Sequence, residues 1–269
     1  MNAKSNPKPQ AASSRSPYLG VRLPATGTVS CNEYLASFRQ INRFLYFVIG
    51  MAGHIEKVSE SAHSALLSVE DDLEKQAQME RDWRERRSTI DDLRENRQFF
   101  MEVVLVRHVE NYLNYLSSLL REIFVSRPET LRSSDKIDLE TVLKHDSIQD
   151  LVQTVAERKV ESLTYSSFSS LEEFFSNRFS LVLVDDKGRQ KVIEAIEARN
   201  ISVHNRCVIN QRYISRTGAK QTDCGELKAL WIGDVEAFAK VATLSVLAVD
   251  KGARKRLKVP GHRFSKLGG

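Results

Sequence analysis

Residues 99–124 read "FFMEVVLVRHVENYLNYLSSLLREIF". Apolar side chains at Phe99, Val103, Val106, Leu113, Leu116, Leu120 and Ile123 recur at threes, fours and sevens, with Val109, Tyr112 and Phe124 beside them. A strand alternates every second residue, whereas this spacing gathers the apolar groups on one broad face of a helix. The helix should end near Arg127-Pro128, because a proline pushes the residue before it out of helical geometry. The surroundings agree. No glycine occurs between residues 54 and 187, and Pro128 is the single proline between residues 31 and 250. Strand-and-turn architectures need frequent glycine and proline punctuation. The fold class predicted is all-α.

Upstream, residues 31–97 form a second helical region. Ile55, Ala62, Val69, Trp83 and Ile90 fall on a seven-residue repeat interrupted by Gln76, and 17 of the 28 residues from Glu70 to Arg97 are charged. That pattern predicts a long exposed helix with one thin apolar seam, a coiled-coil-like arm or a surface helix of the bundle. Downstream, Ile148, Leu151, Val152 and Val155 place a helix over about 146–163. Ser170 to Glu173 reads as a capping box opening a short one. Asp186-Lys187-Gly188 reads as a turn before a helix over about 189–207. After a polar loop with Gly218 and Gly225, a last helix covers about 234–249, started by Asp234.

Charge divides the chain. Residues 1–30 carry four Lys/Arg and no acid, and residues 251–269 carry seven and no acid. The body between them holds 29 basic against 35 acidic residues, so the net charge of +5 belongs to the ends. Four of the six prolines fall in residues 1–24. The expected organisation is a disordered basic leader (1–30), an N-terminal helical region or arm (31–97), a helical bundle (98–250) and a disordered basic tail (251–269). Basic ends add salt-sensitive affinity for nucleic acid or simply aid solubility. Cys31, Cys207 and Cys224 are widely spaced without a CxxC pair, as expected of reduced thiols in a cytoplasm. The longest apolar stretch, Phe44 to Gly53, is far short of the ~20 residues of a membrane span, so no membrane partner is expected. No Walker-type glycine loop is present, and no cofactor or metal is expected.

One helix carries unusual polar content. Residues 195–214 read "AIEARNISVHNRCVINQRYI", which sets Arg199, Asn200, His204 and Asn205 among Ile196, Ile201, Val203 and Val208. With about 100° per residue, Val192, Ile196, Val203 and Cys207 share a core stripe. Arg199 lies beside that stripe, where a guanidinium needs a carboxylate, a phosphate or a subunit partner. Asn200 and His204 run along the adjacent edge with Glu197, His204 about 140° from Arg199. Arginine clamps phosphate and histidine exchanges protons near neutral pH. An RNA phosphodiester supplies its own nucleophile, the 2′-hydroxyl, so these groups suffice in principle for cleavage without metal. An Arg five residues before a His is common by chance, and a salt-bridged Arg199 with a core-edge His204 would explain both residues. The remaining histidines (His54, His63, His108, His145 and His262) read as surface or core-edge groups.

The segment "ARNISVHNRCVINQRYI" (198–214) resembles the signature of HEPN domains, an R-polar-x3-H motif matched by Arg199, Asn200 and His204. Residues 106–124 and 151–180 resemble the opening helix and the middle of HEPN proteins from prokaryotic defence and toxin loci. Cys207 departs from the pattern, since a small residue, often glycine, is expected after His-Asn-Arg. The resemblance covers about residues 95–250. It implies a four- or five-helix bundle that forms a homodimer with a composite cleft, RNA as substrate, and metal-independent endoribonuclease activity. Arg199, Asn200 and His204 would be catalytic, with Asn205 and Arg206 as substrate contacts. It also implies a possible cognate inhibitor or defence-system partner. Some HEPN domains are instead non-catalytic binding modules, and that alternative stays open.

Overall fold

The computed structural model describes residues 23–131, 139–164 and 166–264. The expected disorder of residues 1–22 and 265–269 lies outside the described residues. The chain is an all-α bundle: α1 (Val29–Val69), α2 (Leu73–Glu85), α3 (Thr89–Glu95), α4 (Arg97–Ser126), α5 (Leu139–Leu143), α6 (Ile148–Thr164), α7 (Phe168–Phe179), α8 (Asp186–Asn205), α9 (Gln211–Thr217) and α10 (Ile232–Leu257). Two-residue strands β1 (Thr26–Gly27) and β2 (His262–Arg263) pair antiparallel.

Helix α4 is the central element and packs against α1, α6, α8 and α10. Its rear half buries Tyr112, Leu116, Leu120, Ile123 and Phe124, as its periodicity requires. Three buried tyrosines stitch the core through their hydroxyls. Tyr112 pairs with Ser245 at 2.8 Å, Tyr34 with Thr243 at 3.0 Å, and Tyr115 donates to the Val246 carbonyl at 3.2 Å. All three partners lie on α10, so each ring contributes apolar area without orphaning its hydroxyl. His108 belongs to this core and not to its edge. Burial lowers its pKa to about 4, so it sits neutral beside the Phe38 ring.

The front of α4 departs from expectation. Phe99 is 69% exposed and Val103 also faces outward, whereas Met101, Val104 and Leu105 face the core. The apolar face of this helix is wider than its neighbours cover, and periodicity does not say which edge they choose.

The region before α4 is not one long helix. Helix α1 ends at Val69, and Asp72 caps α2 by accepting from Glu74 N and Lys75 N. Gln76, which interrupts the seven-residue repeat, turns its amide onto the carbonyls that end α1. Trp83 of α2 stacks on His63 of α1 at 4.3 Å, Arg86 lies over the Trp83 ring, and Arg86 pairs with Glu56. The first half of α1 belongs to the main core through Cys31, Tyr34, Leu35, Phe38 and Leu45.

Residues 23–30 and 251–264 are ordered, which corrects the expected tails. Thr28 caps α1 by accepting from Cys31 N, and its own N–H and hydroxyl donate to buried Asp250 at 3.0 and 2.6 Å. Arg254 donates to the Thr26 carbonyl and hydroxyl. Helix α10 runs on to Leu257, its last turn carrying Arg254, Lys255 and Arg256, where cations oppose the helix dipole. The basic run therefore ends a helix, and residues 26–28 are laced to Asp250 and Arg254.

Boundaries shift elsewhere for local reasons. Ser167, not Ser170, caps α7. Asp185 caps α8, so Asp186-Lys187-Gly188 is its first turn and not a preceding loop. Gly188 is there for space, since a Cβ would come within 2.7 Å of Val241 Cγ1 on α10. Helix α9 was hidden in what reads as polar loop; Asn210 caps it, and Gly218 closes it in the left-handed region. No described helix is long and apolar enough to cross a membrane.

Candidate functional site

Helix α8 is held on three sides, by α4, α9 and α10. Its middle turns are buried almost all round through Val192, Ala195, Ile196, Ala198 and Ile201. Its last turns emerge from the packing. Val203, expected on the core stripe, is 51% exposed.

Arg199 points toward α4. Its Nη2 donates to Glu110 Oε1 at 3.1 Å and its Nη1 to Asn200 Oδ1 at 3.1 Å. Its Nε is buried without a partner. Of the three partners that its position on the wheel demanded, the chain itself supplies the carboxylate. Asn200 then donates from Nδ2 to Glu197 Oε2 at 3.2 Å. Glu197 is itself buried, and the Arg212 guanidinium lies 3.7 Å from the same oxygen. The result is a continuous polar chain, Glu110–Arg199–Asn200–Glu197–Arg212, crossing α8 from the α4 side to the α9 side.

His204 is exposed on the α9 side and makes no hydrogen bond or ion pair with the described residues. It opens onto a pocket of about 270 Å³ lined by Glu197, Asn200, Ile201, His204, Asn210 and Arg212. A single chain thus joins Asn200 and His204 in one pocket and keeps Arg199 on the other side of the helix. Arg212 and Asn210 were missed by sequence reasoning. Their signal was weak, because both lie beyond the end of α8 and reach the pocket only when α9 folds back over it. Their placement follows from Asn210, whose side chain accepts from Tyr213 N and starts α9, and from Tyr213, which is buried.

The end of α8 shows what Asn205, Arg206 and Cys207 do. Arg206 and Cys207 both adopt left-handed backbone, with φ of 50° and 60°. Glycine tolerates this conformation and other residues resist it, which accounts for a small residue being expected at 207. Cys207 is buried instead, its sulfur 2.9 Å from the Ser202 hydroxyl, and burial pushes its thiol up to about 11. It is therefore a packed, unreactive thiol. Asn205 donates to the Val208 carbonyl at 2.6 Å and locks the turn. Arg206 is exposed, and neither residue lines the His204 pocket. The following segment is pinned by Ile209 N to Glu226 O and Lys228 N to Cys207 O, each 2.9 Å.

Among the described residues, no three His, Cys, Asp or Glu side chains converge in a way that could hold a metal ion. The pocket's polar groups are an imidazole, a guanidinium, two amides and the Glu197 carboxylate, which Arg212 faces at 3.7 Å. The donors suit an oxyanion such as a phosphate, with Arg212 offsetting Glu197. No family model, curated protein or solved structure matches the chain.

Proposed function

We propose that the protein is a HEPN-like, metal-independent endoribonuclease acting in a prokaryotic defence or toxin system. The observation that carries this reading is the pocket in which exposed His204, engaged in nothing else, meets Asn200 and Arg212. A phosphodiester seated there accepts hydrogen bonds from Arg212 and Asn200. His204 takes the 2′-hydroxyl proton as that oxygen attacks phosphorus, and a second proton donor releases the 5′-oxygen. The products are a 2′,3′-cyclic phosphate and a 5′-hydroxyl end. In a homodimer that second donor is the other copy's His204, and Arg199, separated from His204 within one chain, serves the neighbouring cleft. The exposed Val203, Val103 and Phe99 supply apolar area for such pairing.

A second reading has its own support. The Arg199 charge is already paired with Glu110, the arrangement expected if α8 is a binding scaffold without turnover. Incubating the protein with total RNA and tRNA in EDTA separates the two. Cyclic-phosphate ends that vanish in His204→Ala establish the nuclease. RNA retained without cleavage supports the binding module, and no affinity for RNA removes both.

A further inference from the structure

Helix α1 carries an apolar stripe that the fold leaves largely open, with Phe44 at its start edge-on to the Phe100 ring of α4 at 6.1 Å. Phe44, Phe47, Met51, Ile55, Val58, Leu66 and Val69 are each between 41% and 74% exposed, and Ala62 among them is exposed as well. Their spacing is three, four, four, three, four, four, three. That is an eleven-residue repeat, which keeps a stripe on one face of a nearly straight helix with a slight right-handed drift. The core-facing residues Leu35, Phe38, Ile41 and Leu45 are centred about 125° away around α1, and α2 packs on that same side through His63 and Glu56. The stripe is thus a second, largely open face about 38 Å long.

We propose that this face is the contact of an antiparallel dimer, in which α1 of one copy lies along α1 of a second copy. Three features select a second copy as the occupant. The first is area. At about 150–200 Å² per whole side chain the stripe leaves roughly 650 Å² open, so self-pairing can cover up to roughly 1,300 Å², against the ~1,000 Å² that a specific interface needs. The second is the symmetry of the stripe about the Glu56–Lys57 peptide. Reversing the helix there sets Phe44 against Val69, Phe47 against Leu66, Met51 against Ala62, and Ile55 against Val58. Large side chains meet smaller ones at three of those four levels, which keeps the helix separation even. A parallel pair would stack Phe44 on Phe44 and Ala62 on Ala62, crowding one end and leaving the other loose.

The third feature is charge. Glu56, Lys57 and Glu60 are the acidic and basic residues between 44 and 69, and they project away from the stripe. Arg39 and Arg43 precede it, and Glu70, Asp71 and Asp72 follow it. Antiparallel pairing brings the basic end of each copy to the acidic end of the other, whereas parallel pairing sets acid on acid. The interface is separate from the His204 pocket and stands whether or not that pocket cuts RNA.

The test uses the full chain. Sedimentation velocity at tens of micromolar should show an assembly whose mass halves in Val58→Glu, with unchanged helicity by circular dichroism because Val58 is exposed. Self-association should weaken at least tenfold. In a Cys224→Ser background, mixing Met51→Cys with Ala62→Cys protein under mild oxidation should give a disulfide-linked dimer, and neither variant alone should. A monomeric wild type overturns the proposal, including one that binds anionic vesicles, which would assign the face to lipid. So does a mass untouched by Val58→Glu, or a disulfide joining two Met51→Cys chains.

Discussion

Arg199 on α8 reaches Glu110 on α4 across 3.1 Å, so the guanidinium in the R-polar-x3-H segment is held by the protein's own carboxylate. A phosphate binding at Arg199 has to displace Glu110. We predict that Glu110→Gln raises affinity for an RNA oligonucleotide about three- to tenfold in fluorescence anisotropy, because the competing charge is gone. The pair is part-exposed, so the stability loss should stay within about 1 kcal/mol in urea titration. A drop in RNA affinity would count against Arg199 as a phosphate ligand.

Arg212 brings a positive charge into the pocket that His204 lines, and Glu197, its neighbour at 3.7 Å, is buried. Arg212→Gln is expected to weaken RNA binding and to reduce the slope of log K against log salt by about one unit, the signature of one lost phosphate contact. Arg212 is exposed but faces buried Glu197, so the stability loss should stay within about 1 kcal/mol. An unchanged salt slope would place the RNA elsewhere.

His108 gives the fold a pH dependence. Its pKa is lowered to about 4 in the core, against 6.5 in the unfolded chain, so the unfolded state binds the proton more readily. The sign follows: the neutral imidazole's contribution is complete above pH 6.5 and is lost as the pH falls toward 4. Integrated over that window it amounts to about 3 kcal/mol. Buried His108 Nε2 has no hydrogen-bond partner, so His108→Leu leaves no orphaned group behind. The variant should fold and show a visibly flatter stability curve between pH 6.5 and 4 in chemical denaturation. Wild-type and variant curves that run parallel would mean that His108 is not the titrating group.

Gly188 is the point where α8 meets α10. Gly188→Ala places a methyl within 2.7 Å of Val241 Cγ1 and 2.9 Å of Val184 Cγ1. Overpacking of this kind costs about 1–3 kcal/mol, despite alanine's better helix propensity. Adding Val241→Ala should recover part of the loss, measurable as a non-additive double-mutant cycle. Stabilisation by Gly188→Ala alone would show that the two helices can separate freely.

Local chemistry made much of this protein legible in its sequence. The lack of glycine and proline and the spacing along residues 99–124 determined an all-α chain and located α4, because helical periodicity is a property of neighbouring residues. The same wheel showed that Arg199 needs a counter-charge and that it diverges from His204, since both follow from position on one helix. Tertiary packing decided the rest. Val203, Phe99 and Val103 face solvent because coverage of an apolar stripe depends on where other helices end. Glu110 is Arg199's partner, and Arg212 and Asn210 join His204, because α4 and α9 approach α8 from segments far away or beyond a turn. His108 is a core residue and the basic run after residue 250 ends a helix, because Phe38, Thr26 and Thr28 come to meet them. In each case the deciding contact joins segments that no single helix's pattern contains.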